Sequence, residues 1–258
     1  MLRVENLIGG YGKREVVKNI SFHVEKGDVL CILGPNGCGK STLLKLLLRF
    51  IPKKSGRVFL QGQDMDQLHR KSIARIVSYI PQFDSMPFPY TVIEMVTMGR
   101  SCHLDRWKTP SKKDNRFAYE SLEKLRISHL ADKLYTQISG GERQLVLMAR
   151  ALCQDTRVLI MDEPTASLDF ANQQLVMDAI ATAVQEGKSI ILTTHSPSQP
   201  FTIATKVLLL SQGSTVGFGK PLEVLTSESL ERVYGIPMDI VTVSDRNQTN
   251  RNICLPVH

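Results

Sequence analysis

Hydrophobic residues in this chain gather into short blocks that end at polar or glycine-rich corners. Val29-Leu30-Cys31-Ile32-Leu33, Val158-Leu159-Ile160-Met161, Ser189-Ile190-Ile191-Leu192-Thr193-Thr194 and the run from Val207 to Leu210 are almost unbroken. Each is short enough to be a strand buried on both faces. Ile76-Val77-Ser78-Tyr79-Ile80, stopped by Pro81, is a further strand, and Gly56 to Gly62 reads as a short one between glycine turns. Val16, Ile20, Phe22 and Val24 fall at even spacing, which predicts a strand with one wet face, and Lys26-Gly27-Asp28 turns the chain after it. Residues 1 to 33 therefore read as sheet. Helical spacing takes over from Ser41 to Leu48, ended by Ile51-Pro52, and again from Asn115 to Leu125 through Phe117, Leu122 and Leu125. It returns at Leu145, Met148, Ala149 and Leu152, and short helices are expected between Pro221 and Tyr234. Thr91-Val92-Ile93-Glu94 fits a capping box.

Strands alternating with helices indicate an α/β protein. The pattern changes at Phe83. Phe83 to Tyr90 carries prolines and phenylalanines without a period, and a mostly helical stretch follows. Residues of roughly 83–150 are read as a helical subdomain inserted into a sheet core, with the loop before it as a hinge or partner surface. Arg100, Arg106, Lys108, Lys112, Lys113 and Arg116 predict a solvated basic loop over 100–116. Residues 1–243 then form one domain, and 244–258 a polar, frayed tail. A length of 258 residues with 42% hydrophobic content suits one large domain carrying an insertion.

Composition narrows the classes. No apolar run is long enough to span a bilayer, and Met1 to Asn6 lead into no apolar signal segment, so the expectation is a cytosolic protein. The formal charge of +7 suits anionic ligands or an anionic membrane surface. Without a basic stripe interleaved with aromatics, no nucleic-acid partner is expected. Cys31, Cys38, Cys102, Cys153 and Cys254 include no C-x-x-C pair, which argues against structural zinc and a disulfide framework.

The chemistry centres on Gly34-Pro35-Asn36-Gly37-Cys38-Gly39-Lys40-Ser41-Thr42, which fits G-x-x-x-x-G-K-[ST] between a buried strand and a helix. Glycines let successive N–H groups face one concave spot at a helix N-terminus, where a phosphate is favoured. Lys40 can reach the β/γ-phosphates, and the Ser41 hydroxyl can ligate Mg²⁺. Cys38 is either a small spacer or a thiol whose alkylation blocks the cradle.

Further along, Asp162-Glu163-Pro164 closes a buried strand. Asp162 can hold Mg²⁺ through water, and Glu163 can orient and deprotonate an attacking water. Ser139 and Glu142 form a capping box around Gly140 and Gly141, which opens a second set of N–H groups at a helix start. Gln82 and His195 each follow a strand directly, where ligand-contacting residues gather in open α/β sheets. His195 at such a tip can donate to a γ-phosphate. Tyr11, in a glycine loop, either stacks on an adenine ring or packs at the sheet edge.

Taken in order, these residues resemble the ATP-binding subunit of an ABC transporter along essentially the whole chain. The resemblance makes Tyr11 the adenine-stacking aromatic, Gly34 to Thr42 the Walker A loop and Gln82 the Q-loop glutamine, which touches Mg²⁺ and senses the membrane partner. It makes Ser139-Gly140-Gly141-Glu142 the signature motif, Val158 to Glu163 the Walker B strand with the catalytic glutamate, Ala166-Ser167-Leu168-Asp169 the D-loop and His195 the switch histidine.

Two positions depart from the family pattern. Ile138 replaces the usual leucine before the signature, and Ser196-Pro197-Ser198-Gln199-Pro200 replaces the acidic residue that often follows the histidine.

The resemblance implies a P-loop NTPase core of mixed or parallel sheet with flanking helices, an antiparallel β subdomain and an inserted α-helical subdomain. It implies ATP and Mg²⁺, a head-to-tail homodimer, polytopic permease subunits and, indirectly, a substrate-binding protein, all at the cytoplasmic face of the membrane. Met98-Gly99-Arg100 and the short C-terminal extension are similar to importers of iron–siderophore, haem or cobalamin and to the related molybdate type. A soluble ABC ATPase without a transport role is the rival class. The single cassette and the lack of a heptad run favour the transporter.

Overall fold

The computed structural model describes residues 1–82, 88–105, 108–166, 168–244, 248 and 250–257. The proline-rich stretch from Phe83 lies largely outside them, as do Arg106 of the basic stretch and Ser167 before Asp169. The chain divides into two compact units, residues 1–67 with 191–258, and residues 68–190.

The first unit begins with alternation. β1 (Leu2–Tyr11) and β2 (Arg14–Val24) pair antiparallel from Leu2 opposite Val24 to Tyr11 opposite Arg14. Val17, Ile20, Phe22 and Val24 are the buried set on β2. The expected alternation from Val16 thus fails at its first member. Asn19 has a left-handed backbone (φ 55°), and the register shifts between Leu7 and Gly9. An irregularity of this kind inserts a residue and turns every side chain before it to the other face.

β3 (Val29–Leu33) is buried at every position and runs into α1 (Lys40–Leu47). β4 (Lys53–Leu60) pairs antiparallel with β1 and begins earlier than its bounding glycine suggests, because Gly56 lies inside the strand. A Cβ on Gly56 would stand 2.5 Å from the Asn6 carbonyl oxygen, so only glycine lets the two strands meet there. β5 (Gln63–Asp64) completes a four-stranded antiparallel sheet in the order β2-β1-β4-β5.

The second unit holds α2 (Arg70–Ala74), β6 (Val77–Ile80), α3 (Val92–Thr97), α4 (Lys112–Lys124), α5 (Gly140–Cys153), β7 (Val158–Met161) and α6 (Phe170–Gln185). β6 and β7 pair in parallel, with Ile80 opposite Met161. α3, α4 and α5 pack on one another, and Met95, Val96, Ala118, Leu122, Leu145 and Met148 on these helices are buried. The Thr91–Glu94 and Ser139–Glu142 capping boxes form as the sequence predicts.

The basic loop does not stay solvated throughout. Met98–Cys102 forms a 3-10 turn, and Arg100 is 9% exposed. Its guanidinium bonds the Asp114 carboxylate at 3.1 Å, donates to the Cys153 carbonyl at 3.0 Å and lies 4.4 Å from the centre of the Phe117 ring. A buried guanidinium is tolerated because its charge is paired and its Nε and Nη1 find acceptors. Asp114 is also the capping-box partner of Ser111 at the start of α4.

β8 (Ser189–Thr194), buried at each residue, returns the chain to the first unit. α7 (Gln199–Ile203), β9 (Lys206–Ser211), β10 (Ser214–Gly219), α8 (Pro221–Val224) and α9 (Ser227–Tyr234) follow. β9 runs parallel to β3 and antiparallel to β10, in the order β10-β9-β3-β8.

The polar tail expected from 244 is instead half of a hairpin. β11 (Met238–Ser244) pairs with β12 (Asn250–Pro256) from Met238 opposite Pro256 to Ser244 opposite Asn250. Composition misleads there because the strands bury one face only, at Met238 and Cys254. Parallel and antiparallel strands with flanking helices give the α/β class read from the sequence. No helix among the described residues is long and apolar enough to cross a membrane.

The Ser111 hydroxyl, its backbone N–H and then Arg100 hold the Asp114 carboxyl down from 3.8 to about 2. A depressed carboxylate stabilises the fold above its unfolded value and ceases to as pH falls through its folded one. Asp114→Asn is therefore expected to lower the melting temperature at neutral pH. The gap to the parent should shrink between about pH 4 and pH 2. Thermal melts across that range check it, and a gap independent of pH would refute it.

Candidate functional site

The phosphate loop is shaped by close backbone approaches. Gly34 follows β3, and a Cβ there would stand 2.5 Å from the Leu210 carbonyl oxygen and 2.7 Å from the Cys38 Sγ. Gly37 and Gly39 take left-handed backbones (φ 79° and 110°), which turns the chain into α1. The Gly213 N–H donates to the Cys38 carbonyl at 2.9 Å, and the Lys18 N–H donates to the Gly213 carbonyl at 2.8 Å. The loop is thus backed by the β9–β10 turn and by β2.

α1 has Gly39 at its N-cap, without a side-chain cap and without an acidic residue in its first turn. Its leading N–H groups and its dipole therefore favour an external anion. The Lys40 ammonium donates to the Gly34 carbonyl at 2.8 Å and the Pro35 carbonyl at 3.3 Å. Lys40 is 5% exposed, so the loop wraps around its charge. Pro35 and Ser41 are half-buried, Asn36 is exposed, and Cys38 and Thr42 are buried. Burial of Cys38 fits the spacer reading of that residue. Tyr11, 49% exposed at the end of β1, offers its ring, with the Lys45 ammonium 3.5 Å from its hydroxyl. His195, also in the first unit, is exposed directly after β8.

The second unit carries the acidic part. Asp162 directly follows β7, is buried, and its N–H donates to the Ile80 carbonyl at 2.9 Å. Glu163 takes a left-handed backbone (φ 47°), a conformation that costs a non-glycine residue energy and that structures keep where a side chain must be aimed. Its carbonyl accepts from the Ala166 N–H at 3.2 Å, and its Oε2 accepts from the Gln82 Nε2 at 3.1 Å. Gln82 and Glu163, which the sequence offered separately, are thereby brought together.

Ser139 and Gly140 are exposed at the start of α5, and the Ser139 backbone N–H and hydroxyl hold the Glu142 carboxyl below its ordinary range. A Cβ on Gly140 would meet nothing within 4 Å, and one on Gly141 only ordinary contacts at 3.5 Å and beyond. Among the described residues, packing requires neither glycine. Asp169 accepts from the Asn172 N–H at 2.8 Å and caps α6.

Ser41 in the first unit carries a hydroxyl, and Asp162 and Gln82 in the second carry a carboxylate and an amide oxygen; each is a hard oxygen donor of the kind Mg²⁺ takes together with phosphate and water. Among the described residues there is no group of His, Cys, Asp and Glu that would hold a metal by itself. The hydrophobic pattern carries no sign of the constraint on Gly213. A Cβ on it would run into the Val16 carbonyl oxygen, a restriction set by a strand distant in sequence.

Comparison with known proteins places these features in a family. The ABC transporter family profile matches residues 17–166. The molybdate import ATP-binding protein of Haemophilus influenzae is 38% identical over 92% of this chain and 89% of its own. The ferric enterobactin transport ATP-binding protein of Escherichia coli is 34% identical over 93% and 89%. A metal-chelate type ABC transporter solved in an inward-facing conformation superposes with a TM-score of 0.88 at 36% identity, covering 100% of this chain and 97% of that one.

Gly34→Ala is expected to lower stability by about 1–3 kcal/mol, because its methyl meets a backbone oxygen that cannot swing aside. Phosphate-loop affinity for nucleotide should fall with it. Denaturant melts and nucleotide titration check both, and an unchanged melt with unchanged affinity would refute the packing argument.

Proposed function

The chain belongs to the ABC transporter family, whose ATP-binding subunits hydrolyse ATP to power transport, and on that premise we propose that it energises an importer of a metal chelate. The cargo class is iron–siderophore, haem or cobalamin. The observation that carries the hydrolytic half is the Gln82–Glu163 hydrogen bond, which ties a carboxylate of strained backbone to a strand-tip amide. Support for the cargo comes from the ferric enterobactin relative and from the metal-chelate type transporter covering the whole chain. An oxyanion cargo of molybdate type is the second reading, favoured by the 38% identity to the molybdate importer subunit.

In this reading the N–H groups of Gly34 to Thr42 receive the phosphates of ATP, and Tyr11 stacks on its adenine. Lys40, fixed by two loop carbonyls, offers its charge where negative charge grows on the transferred phosphoryl group. Glu163 orients a water and takes its proton as the water oxygen attacks the γ-phosphorus and the bond to ADP breaks. Gln82 holds Glu163 in place, and His195 donates to the γ-phosphate. Ser41, Gln82 and Asp162 would hold Mg²⁺, which when bound neutralises phosphate charge.

The chain has one phosphate loop and one Ser139-Gly140-Gly141-Glu142 helix start. Two copies facing head to tail would place each ATP between Lys40 of one and Ser139 of the other. The unfilled space at Gly140 suits so close an approach by a second molecule. ATP then closes the pair and hydrolysis opens it. Residues 83–150 and the loop at Gln82 pass that motion to polytopic permease subunits at the cytoplasmic face, served by a substrate-binding protein.

Glu163→Gln should bind ATP as the parent does, favour a closed dimer and turn over about a hundredfold more slowly or less. Phosphate-release assays and sizing with ATP check this, and parental turnover would remove Glu163 from the role. Lys40→Ala should weaken ATP binding about tenfold to a hundredfold through loss of charge-assisted bonds, as titration would measure. The cargo is tested in proteoliposomes holding the chain and its permease, by comparing uptake of ferric siderophore, haem, cobalamin and molybdate. ATP-dependent uptake of molybdate alone would replace the chelate reading by the oxyanion one.

A further inference from the structure

The residues after His195 depart from the family pattern, and the hairpin replaces an expected loose tail. These two departures meet. β8 delivers His195 with its side chain exposed, so the aim of the imidazole depends on how the backbone around it is held. Two bonds from the C-terminal segment hold that backbone. The Tyr234 hydroxyl, at the end of α9, donates to the His195 carbonyl at 3.3 Å. Three residues on, the Ser198 hydroxyl accepts from the Cys254 N–H of β12 at 2.9 Å. Between them the Ser196 N–H donates to the Thr194 hydroxyl at 3.1 Å.

The bracing segment is itself fixed. α9 packs on β11, and α7, which follows the histidine turn, packs on β12. The Val257 N–H closes the hairpin onto the Pro237 carbonyl at 3.0 Å. Ser198 therefore serves this turn as the acceptor for a strand N–H.

Tyr234 is half-buried, and burial together with the nearby Cys38 and Cys254 thiols pushes its phenol well above the ordinary range. The phenol consequently stays an O–H donor across any working pH.

We propose that Tyr234 is a positioning residue for His195, through which the C-terminal helix and hairpin fix the direction of the imidazole toward the γ-phosphate. This rests on the reading of His195 as a phosphate donor. Removing the phenol oxygen takes away the tie on the His195 carbonyl, leaves the Ser196 N–H on Thr194, and so loosens the backbone that aims the imidazole. The loss falls on the chemical step and leaves ATP binding alone.

The test uses the full chain with Tyr234→Phe, His195→Ala and the double variant. Turnover is counted per bound nucleotide, with KM and melting temperature measured alongside. Tyr234→Phe keeps the ring and is expected to lower kcat about fivefold, the effect of one hydrogen bond, with KM and melting unchanged. In the His195→Ala background the same change should have no further effect, since both act through one group. Parental kcat in Tyr234→Phe beside a slow His195→Ala would overturn the positioning role and leave the proposed function standing. An equal loss in both backgrounds would make Tyr234 merely structural and overturn it as well. Parental turnover in His195→Ala would sink the phosphate-donor reading of His195 and this inference with it.

Discussion

A carbonyl oxygen of β9 occupies the space where a side chain on residue 34 would begin. The phosphate loop depends on that contact. Gly34 can pass Leu210 only because it has no Cβ, and its own carbonyl is then turned to grip the Lys40 ammonium. From the same β9 strand the chain turns at Gly213, whose N–H supports Cys38 and whose carbonyl ties back to β2. The loop is therefore braced by backbone contacts from β9, its following turn and β2. If it receives a phosphate as proposed, such bracing limits the reorganisation its N–H groups need.

The acidic half rests on a different constraint. Glu163 is held in a backbone conformation that a non-glycine residue adopts at a cost, and the Gln82 amide and the Ala166 N–H offset part of it. Gln82 is also the last described residue before the stretch read as hinge. A single hydrogen bond thus joins the residue that would move a proton to the segment that would sense a membrane partner. Under the proposed function, any shift of Gln82 would reach the Glu163 carboxylate through that bond.

Most of this was legible from pattern because the signals were local. A capping box at Ser139 and Glu142 is written within four residues, and the buried runs of β3, β7, β8 and β9 stand out by composition alone. What escaped was set by partners distant in sequence. Val17 instead of Val16 faces inward because Asn19 breaks the pleat. Arg100 is buried because Asp114, Cys153 and Phe117 converge on it. The hairpin of β11 and β12 hid in polar composition because only one face is covered. The tie from Tyr234 runs to a backbone carbonyl, and a carbonyl leaves no trace in residue type.

The vacant space at Gly140 has a consequence for inheritance. Among the described residues a Cβ there meets nothing within 4 Å, so this chain itself has room for a side chain at residue 140. Were two copies to face one another as proposed, such a substitution would spare folding and spoil only the seam, and an altered allele would then poison pairs made with its normal counterpart instead of merely failing to help.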